Sequence, residues 1–463
     1  MAARQLGQAA ETAFTDFAPD VDPTSKGIIL DSSNAVPTIK GYRSRNAPVP
    51  YAPALPGTPA GAYVALYANG TVSVIAVVET GSSTTFYRLV SGAWTSVGVF
   101  GVTTGPWYFA QFADDVIATT VGAQFILVAN GASGTFAELD ATAPTYATTV
   151  ISVAGFAAAY QANQWFNSSA GTDTSWTPNV QTQSASGFLY DLPGNIVAAA
   201  PFFRTQIVWK QQAMWLLNYI GGTQVWSSQL LSVATGTWSQ SCVVLLPEAV
   251  AFLGTDDFYM TQGYAPTRIP NNLKEWFFYQ SADTTQLANT QSWFDPINSV
   301  VYWHYVSLTP PFAGVPDQYV AWNTRNNRWA HGYLSTPLVI NNTQPGLTSG
   351  LYFDTNNVLQ SWTGAPGTMS LLTGYQGDGE HMVQLQRVRP KYNTGLYPTG
   401  QSFLPMSTYI LGKPDTVWPG ATLGQDAWFN TRATDRYIRG QLNTVGLAEV
   451  AALEAEVRTS GVR

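Results

Sequence analysis

The sequence predicts an all-β chain, a β-propeller with a smaller C-terminal β-domain. Short apolar and aromatic runs are separated by Gly, Asn, Pro and Ser through most of the 463 residues, as many short antiparallel strands require. A phrase of strand, polar turn and Trp recurs, and in the better-behaved parts its gaps are about 40 residues, the length of one four-stranded blade. The texture then changes at the linker-like Gly374-Tyr375-Gln376-Gly377-Asp378-Gly379.

The strands follow from side-chain type. Residues 72–78 and 125–128 are β-branched or aromatic runs, 207–210 and 213–217 read as a hairpin, and 299–306 reads as a buried strand. The recurring phrase is clearest over 85–94, ending in Trp94. It returns over 320–329, ending in Trp329, and over 351–362, ending in Trp362, while 257–263 keeps its first half. A lone four-stranded blade cannot bury both faces, so blades stack in a circle and bulky rings fill the wedges between them. Beyond the linker, 383–390 alternates with period two, as a strand with one exposed face does. Residues 451–458 carry helix-favouring Ala, Leu and Glu yet also alternate, and the alternation favours a strand. The expected organisation is an N-terminal extended segment over 1–45 feeding the propeller, a propeller over 46–375, and a C-terminal β-domain over 380–463.

Composition narrows function. Charged residues make up 11% of the chain, against roughly 25% in an average soluble domain. Such a surface suits contacts in an assembly, because long charged side chains are costly to immobilise there. Net charge is −7, so counterion release gives no drive for gripping nucleic acid. A mildly acidic wall past which DNA slides is compatible with that sign. The one cysteine, Cys242, excludes a disulfide framework or thiolate cluster. Residues 1–7 lack the apolar core of a secretory leader and no run of about 18 apolar residues occurs, so no membrane segment is expected and synthesis is placed in the cytoplasm.

Catalytic patterns are sparse. His304, His331 and His381 have no zinc-ligand spacing, and phosphate-loop and nucleophile-elbow motifs are absent, so no cofactor, metal or catalytic residue is assigned. Asp114-Asp115 and Asp256-Asp257 are carboxylate doublets, but neighbours on a strand face opposite ways and cannot form an acid/base pair by themselves. The run from Ser169 to Trp176 approaches the Asp-box turn of sialidase-like propellers with Asp and Gly misplaced, and reads as a blade turn capped by Trp176. Arg43/Arg45, Arg387/Arg389/Lys391 and Arg432/Arg436/Arg439 are modest basic groups, read as solvated or intersubunit faces.

Several segments, in order, resemble the tail nozzle (hub) proteins of short-tailed bacteriophages, also described as tail-tubular-protein-B-like. The opening carries most of this: Asp20-x-Asp22-Pro23-x-x-x-Gly27, then Asn34, Pro37-Thr38 and Gly41-Tyr42. Further similar stretches are 164–169 with 174–178, 208–219, 254–259 and Arg436-Tyr437-Ile438-Arg439. The Ala-rich 448–457 departs from the more aromatic closing strand of that family. The resemblance implies a virion protein made in the host cytoplasm. It would be a homo-hexameric ring around a channel, joined above to the head-to-tail adaptor and below to tail tip, needle or fibre proteins. Genomic DNA would pass transiently without sequence-specific binding. In such a ring Arg387, Arg389, Arg432, Arg436 and Arg439 are expected at intersubunit contacts. The rival expectation is a carbohydrate-binding or glycan-cleaving propeller, a lectin or tailspike-like glycosidase.

Overall fold

The computed structural model describes residues 8–341, 350–393 and 398–462, so the leader reading on residues 1–7 lies outside the described residues. Among these residues the strands form seven antiparallel four-stranded sheets and two six-stranded sheets. The chain is an all-β protein, a seven-bladed propeller with a smaller β-domain. Six blades are consecutive: 59–100, 108–138, 149–188, 196–232, 243–268 and 291–333. The seventh takes three strands from 338–361 and its outer strand, Val49–Ala54, from near the N-terminus. That strand pairs with Val358–Ser361 and closes the ring.

Burial explains the strand chemistry. Inner and middle strands are covered on both faces by adjoining blades, so Val300–Tyr305 is buried at every position instead of alternating. Aromatic side chains fill the wedges: Trp209 meets Phe252 at 5.4 Å between the fourth and fifth blades, and Trp94 meets Phe353 at 6.1 Å between the first and seventh. The expected hairpin is present as Thr205–Lys210 and Met214–Tyr219, and the 125–128 run sits slightly later, at Leu127–Asn130. The recurring phrase is not in one phase. It spans the third and fourth strands of the first and sixth blades, but the second and third strands of the seventh. The Trp marks a wedge needing bulk rather than a fixed place in the blade.

The ends of the chain build the smaller domain together. One sheet orders Ala35–Pro37, Tyr42–Ser44, Val450–Val462, His381–Tyr392 and Phe429–Asp435, with Gln8–Ala13 also paired to Val450–Val462. The other orders Ile29–Ser33, Thr368–Thr373, Tyr437–Val445, Gly400–Thr408 and Thr416–Val417, with Ala421–Thr422 on Gly400–Thr408. The N-terminal segment expected to feed the propeller therefore lends strands to the second domain. Thr368–Thr373, placed within the propeller from the sequence, belongs there too. The reason is pairing across the whole chain, Ile29 with Thr373 and Gln8 with Val457, which no local pattern reveals. Val450–Val462 is a strand because partners on both sides override the helix propensity of its alanines.

Candidate functional site: the axial cavity and the domain joint

The innermost strands of the seven blades surround an axial cavity of about 950 Å³. Its wall is aromatic and amide-rich, with Tyr63, Tyr108, Phe109, Gln111, Gln240 and Gln291 among the lining residues. Those amides are occupied by the ring itself. Gln111 in the second blade accepts from Leu66 N–H of the first at 3.1 Å and donates back to Leu66 O at 2.5 Å. Gln240 accepts from Thr149 Oγ1 and Ala199 N–H at 3.1 and 2.8 Å and donates to Ala199 O, joining the third and fourth blades. Gln291 in the sixth blade accepts from Val339 N–H at 2.6 Å and donates to Pro337 O at 2.9 Å at the seventh. Each side-chain amide thus reproduces the donor and acceptor of a peptide group between blades that share no ladder.

Among the lining residues described, the one carboxylate is Glu79 and none is Lys, Arg or His. Burial raises the Glu79 carboxyl above its ordinary value, and its Oε1 accepts from Trp107 Nε1–H at 2.9 Å. Among the described residues no cluster of His, Cys, Asp and Glu has metal-binding geometry, and no helix is long and apolar enough to cross a membrane.

The second region is the joint between domains, where one hydrophobic core runs from Phe14, Phe17, Ile29 and Tyr42 into Phe258, Trp303 and Trp329. Polar contacts fix its register. Asp20 accepts from Glu275 and Trp276 N–H at 2.7 Å each, capping the single turn Lys274–Trp276. Tyr42 Oη donates to Trp329 O at 3.0 Å, and Asn323 Nδ2 donates to Pro37 O at 2.9 Å. His331 joins Asp31 through Nδ1 at 3.0 Å and Gln318 through Nε2 at 3.1 Å, while its ring stacks on Phe17. Asp16 accepts from Trp329 N–H at 2.6 Å and Phe17 N–H at 2.9 Å. Burial pushes its carboxyl up to about 7 against the pull of those donors and of Arg328.

Two glycines of the opening segment are required by the backbone packing within the second domain. Gly27 has φ +81 and a Cβ on it would sit 2.2 Å from Ala13 O. A Cβ on Gly41 would sit 1.9 Å from Val450 O.

The arginines singled out in the sequence are dispersed in role. Arg387 and Arg389 lie directly across from Glu456 and Glu454 in the ladder and pair with them, the second at 2.7 Å, and both stack on Trp428. Lys391 also reaches Glu454, at 2.7 Å. Arg439 meets Asp415 at 2.5 Å, and Arg436 lies over the Tyr409 ring at 4.1 Å. Arg432 is exposed beside a β-bulge in Phe429–Asp435. Intrachain carboxylates thus already occupy Arg387, Arg389 and Arg439. Arg45, read as a surface or contact group, is instead buried, because rings from two blades enclose it.

The carboxylate doublets form no acid/base pair. Asp256 pairs with Arg268 at 2.9 Å, Asp257 accepts from Asn271 Nδ2 at 2.8 Å, and Asp114 accepts from Ala68 N–H at 2.7 Å. Trp176 Nε1 donates to Asp173 O at 2.8 Å, closing its turn as the sequence suggests. The stitching glutamines and Asp16 were not signalled in the sequence, since an isolated Gln or Asp in a strand carries no spacing pattern.

No family model and no curated protein matches the chain. Solved structures with similar folds include virginiamycin B lyase from Staphylococcus aureus, at TM-score 0.45 and 10% identity over 68% of this chain and 97% of that one. The β-propeller domain of Cps50 (Swd1) from Myceliophteria thermophila matches at TM-score 0.41 and 7% identity, over 65% of this chain and 96% of its own. The computationally designed protein Ika8 matches at TM-score 0.40 and 9% identity, over 67% of this chain and 98% of its own.

Proposed function

We propose that the chain is a structural subunit of the tail nozzle of a short-tailed bacteriophage, and not an enzyme. Six copies form a ring in the virion tail, below the head-to-tail adaptor and above tip, needle or fibre proteins. Genomic DNA passes through the ring without sequence-specific contact.

The observation that supports this most is the placement of the nozzle-like opening segment. Its Asp20, Asp31, Pro37 and Tyr42 all serve the joint that welds propeller to second domain. Residues spent this way make a rigid block, which is what an assembly under internal pressure needs. The axial cavity supports the same reading, since its glutamines stitch blades and it offers one carboxylate where glycoside cleavage uses two. Low charge fits a subunit that covers two heterologous faces in a closed ring. Within that ring Arg432, exposed beside its β-bulge, is assigned to the contact with the neighbouring copy.

Particle images of the purified full chain test this. Six-fold rings with an axial hole are expected. Dispersed monomers that bind or cleave glycans would replace the nozzle with the carbohydrate reading.

A further inference from the structure

Arg45 is 4% exposed, yet its Nη1 and Nη2 have no hydrogen-bond partner. Its guanidinium carbon lies 3.3 Å from the Trp362 ring centroid, 4.6 Å from Tyr302, 5.3 Å from Tyr319 and 5.8 Å from Trp293. These rings come from the sixth blade and the exit of the seventh. The backbone at Arg45 ties the same place together: its N–H donates to Asn34 O at 3.0 Å, and its carbonyl accepts from Gly367 N–H at 2.8 Å. The residue therefore joins second domain and propeller just before the strand that closes the ring.

Ring faces attract the cation through its own faces, but a guanidinium also presents N–H groups in its plane, and those need acceptors. Among the described residues no carboxylate supplies them. Asp295 accepts from Ile297 N–H, Asn298 N–H and Asn298 Nδ2. Asp354 accepts from Asn356 N–H, Val358 N–H and Gln360 Nε2.

His304 adds a donor beside this cage. Its ring lies 5.3 Å from Tyr319 and 6.4 Å from Tyr302, and its Nε2 accepts from Trp293 Nε1–H at 3.3 Å. The proton of the neutral ring is therefore on Nδ1, which is buried and unpartnered. Burial, and then Arg45, holds His304 well below its ordinary pKa, so it brings no second positive charge. Three unpaired donors stand against one unpaired acceptor of the adjoining residue, Asn46 Oδ1. A guest that only accepts hydrogen bonds and carries negative charge answers that imbalance better than water does.

We propose that Arg45, with His304 Nδ1–H, holds a small monovalent anion, chloride under cellular conditions, in the aromatic cage between the sixth and seventh blades. The anion completes a latch at the ring's closing point. The inference does not depend on the nozzle reading.

Crystals of the full chain soaked in bromide test it directly. An anomalous peak within hydrogen-bond reach of the Arg45 guanidinium is expected, and its absence would overturn the proposal. In solution the melting temperature is expected to be higher, by about 2 °C or more, in sodium chloride than in sodium gluconate of equal ionic strength. The difference should vanish in Arg45→Met. Equal melting temperatures in the two salts for the wild type, or an undiminished difference in Arg45→Met, would also count against the site. The bromide measurement needs no variant and stands even if Arg45→Met fails to fold.

Discussion

Asp16 makes the domain joint sensitive to pH, and replacing it with Asn isolates the effect. Its carboxyl titrates at about 7 when folded, against an ordinary 3.8. Below pH 4 both folded and unfolded chains are protonated there. Between pH 4 and 7 the folded chain holds the extra proton, so stability falls as pH rises, and above pH 7 the loss is complete. At about 1.36 kcal/mol per pH unit the gap amounts to about 4 kcal/mol. Partial exposure of the side chain brings the expected loss to roughly 2–4 kcal/mol. Asn keeps an Oδ1 acceptor for Trp329 and Phe17 N–H and cannot ionise. Urea unfolding at pH 4.5, 6 and 8 should show Asp16→Asn close to wild type at the lowest pH and more stable by roughly 2–4 kcal/mol at pH 8. A constant difference across pH, or a variant less stable than wild type at pH 8, would refute the argument.

Gly41→Ala drives a methyl into Val450 O and parts the Tyr42–Val450 pairing, at a cost of about 1–3 kcal/mol. Hydrogen exchange should quicken in Tyr42–Ser44 while the second to fourth blades keep their protection. Gln291→Leu leaves Val339 N–H and Pro337 O without their partner and should cost about 1–3 kcal/mol in urea unfolding, with accelerated exchange at Val339. Phe203 sits at a hairpin tip with φ 52 and is 77% exposed, where a bulky side chain is strained and covers little. Phe203→Gly should therefore raise the melting temperature, reflecting a gain of up to about 1 kcal/mol.

What the sequence makes legible follows the range of the interaction. Blade strands are local, so Val300–Tyr305 and the Thr205–Lys210 hairpin can be read from β-branched and aromatic runs with turn residues between them. The composition of the second domain's sheets is not local. Gln8–Ala13 and Val450–Val462 meet across almost the whole chain, and a segment of 1–45 read alone shows only extended pieces. The last strand was legible from its alternation because Glu454 and Glu456 face Arg389 and Arg387 across the ladder. The same spacing cannot say whether an arginine's carboxylate lies in its own chain or the next. Arg45 shows the limit most plainly. It reads like its neighbour Arg43 in the sequence, yet rings more than 240 positions away decide that it is buried.

The most direct test of the nozzle assignment is electron cryo-microscopy of the intact phage tail at a resolution that separates strands. Six copies of the seven-bladed body, with the fused second domain in the orientation described, should encircle the tail axis beneath the adaptor. A tail in which that density is accounted for by other chains, with this one absent from the particle, would contradict the account.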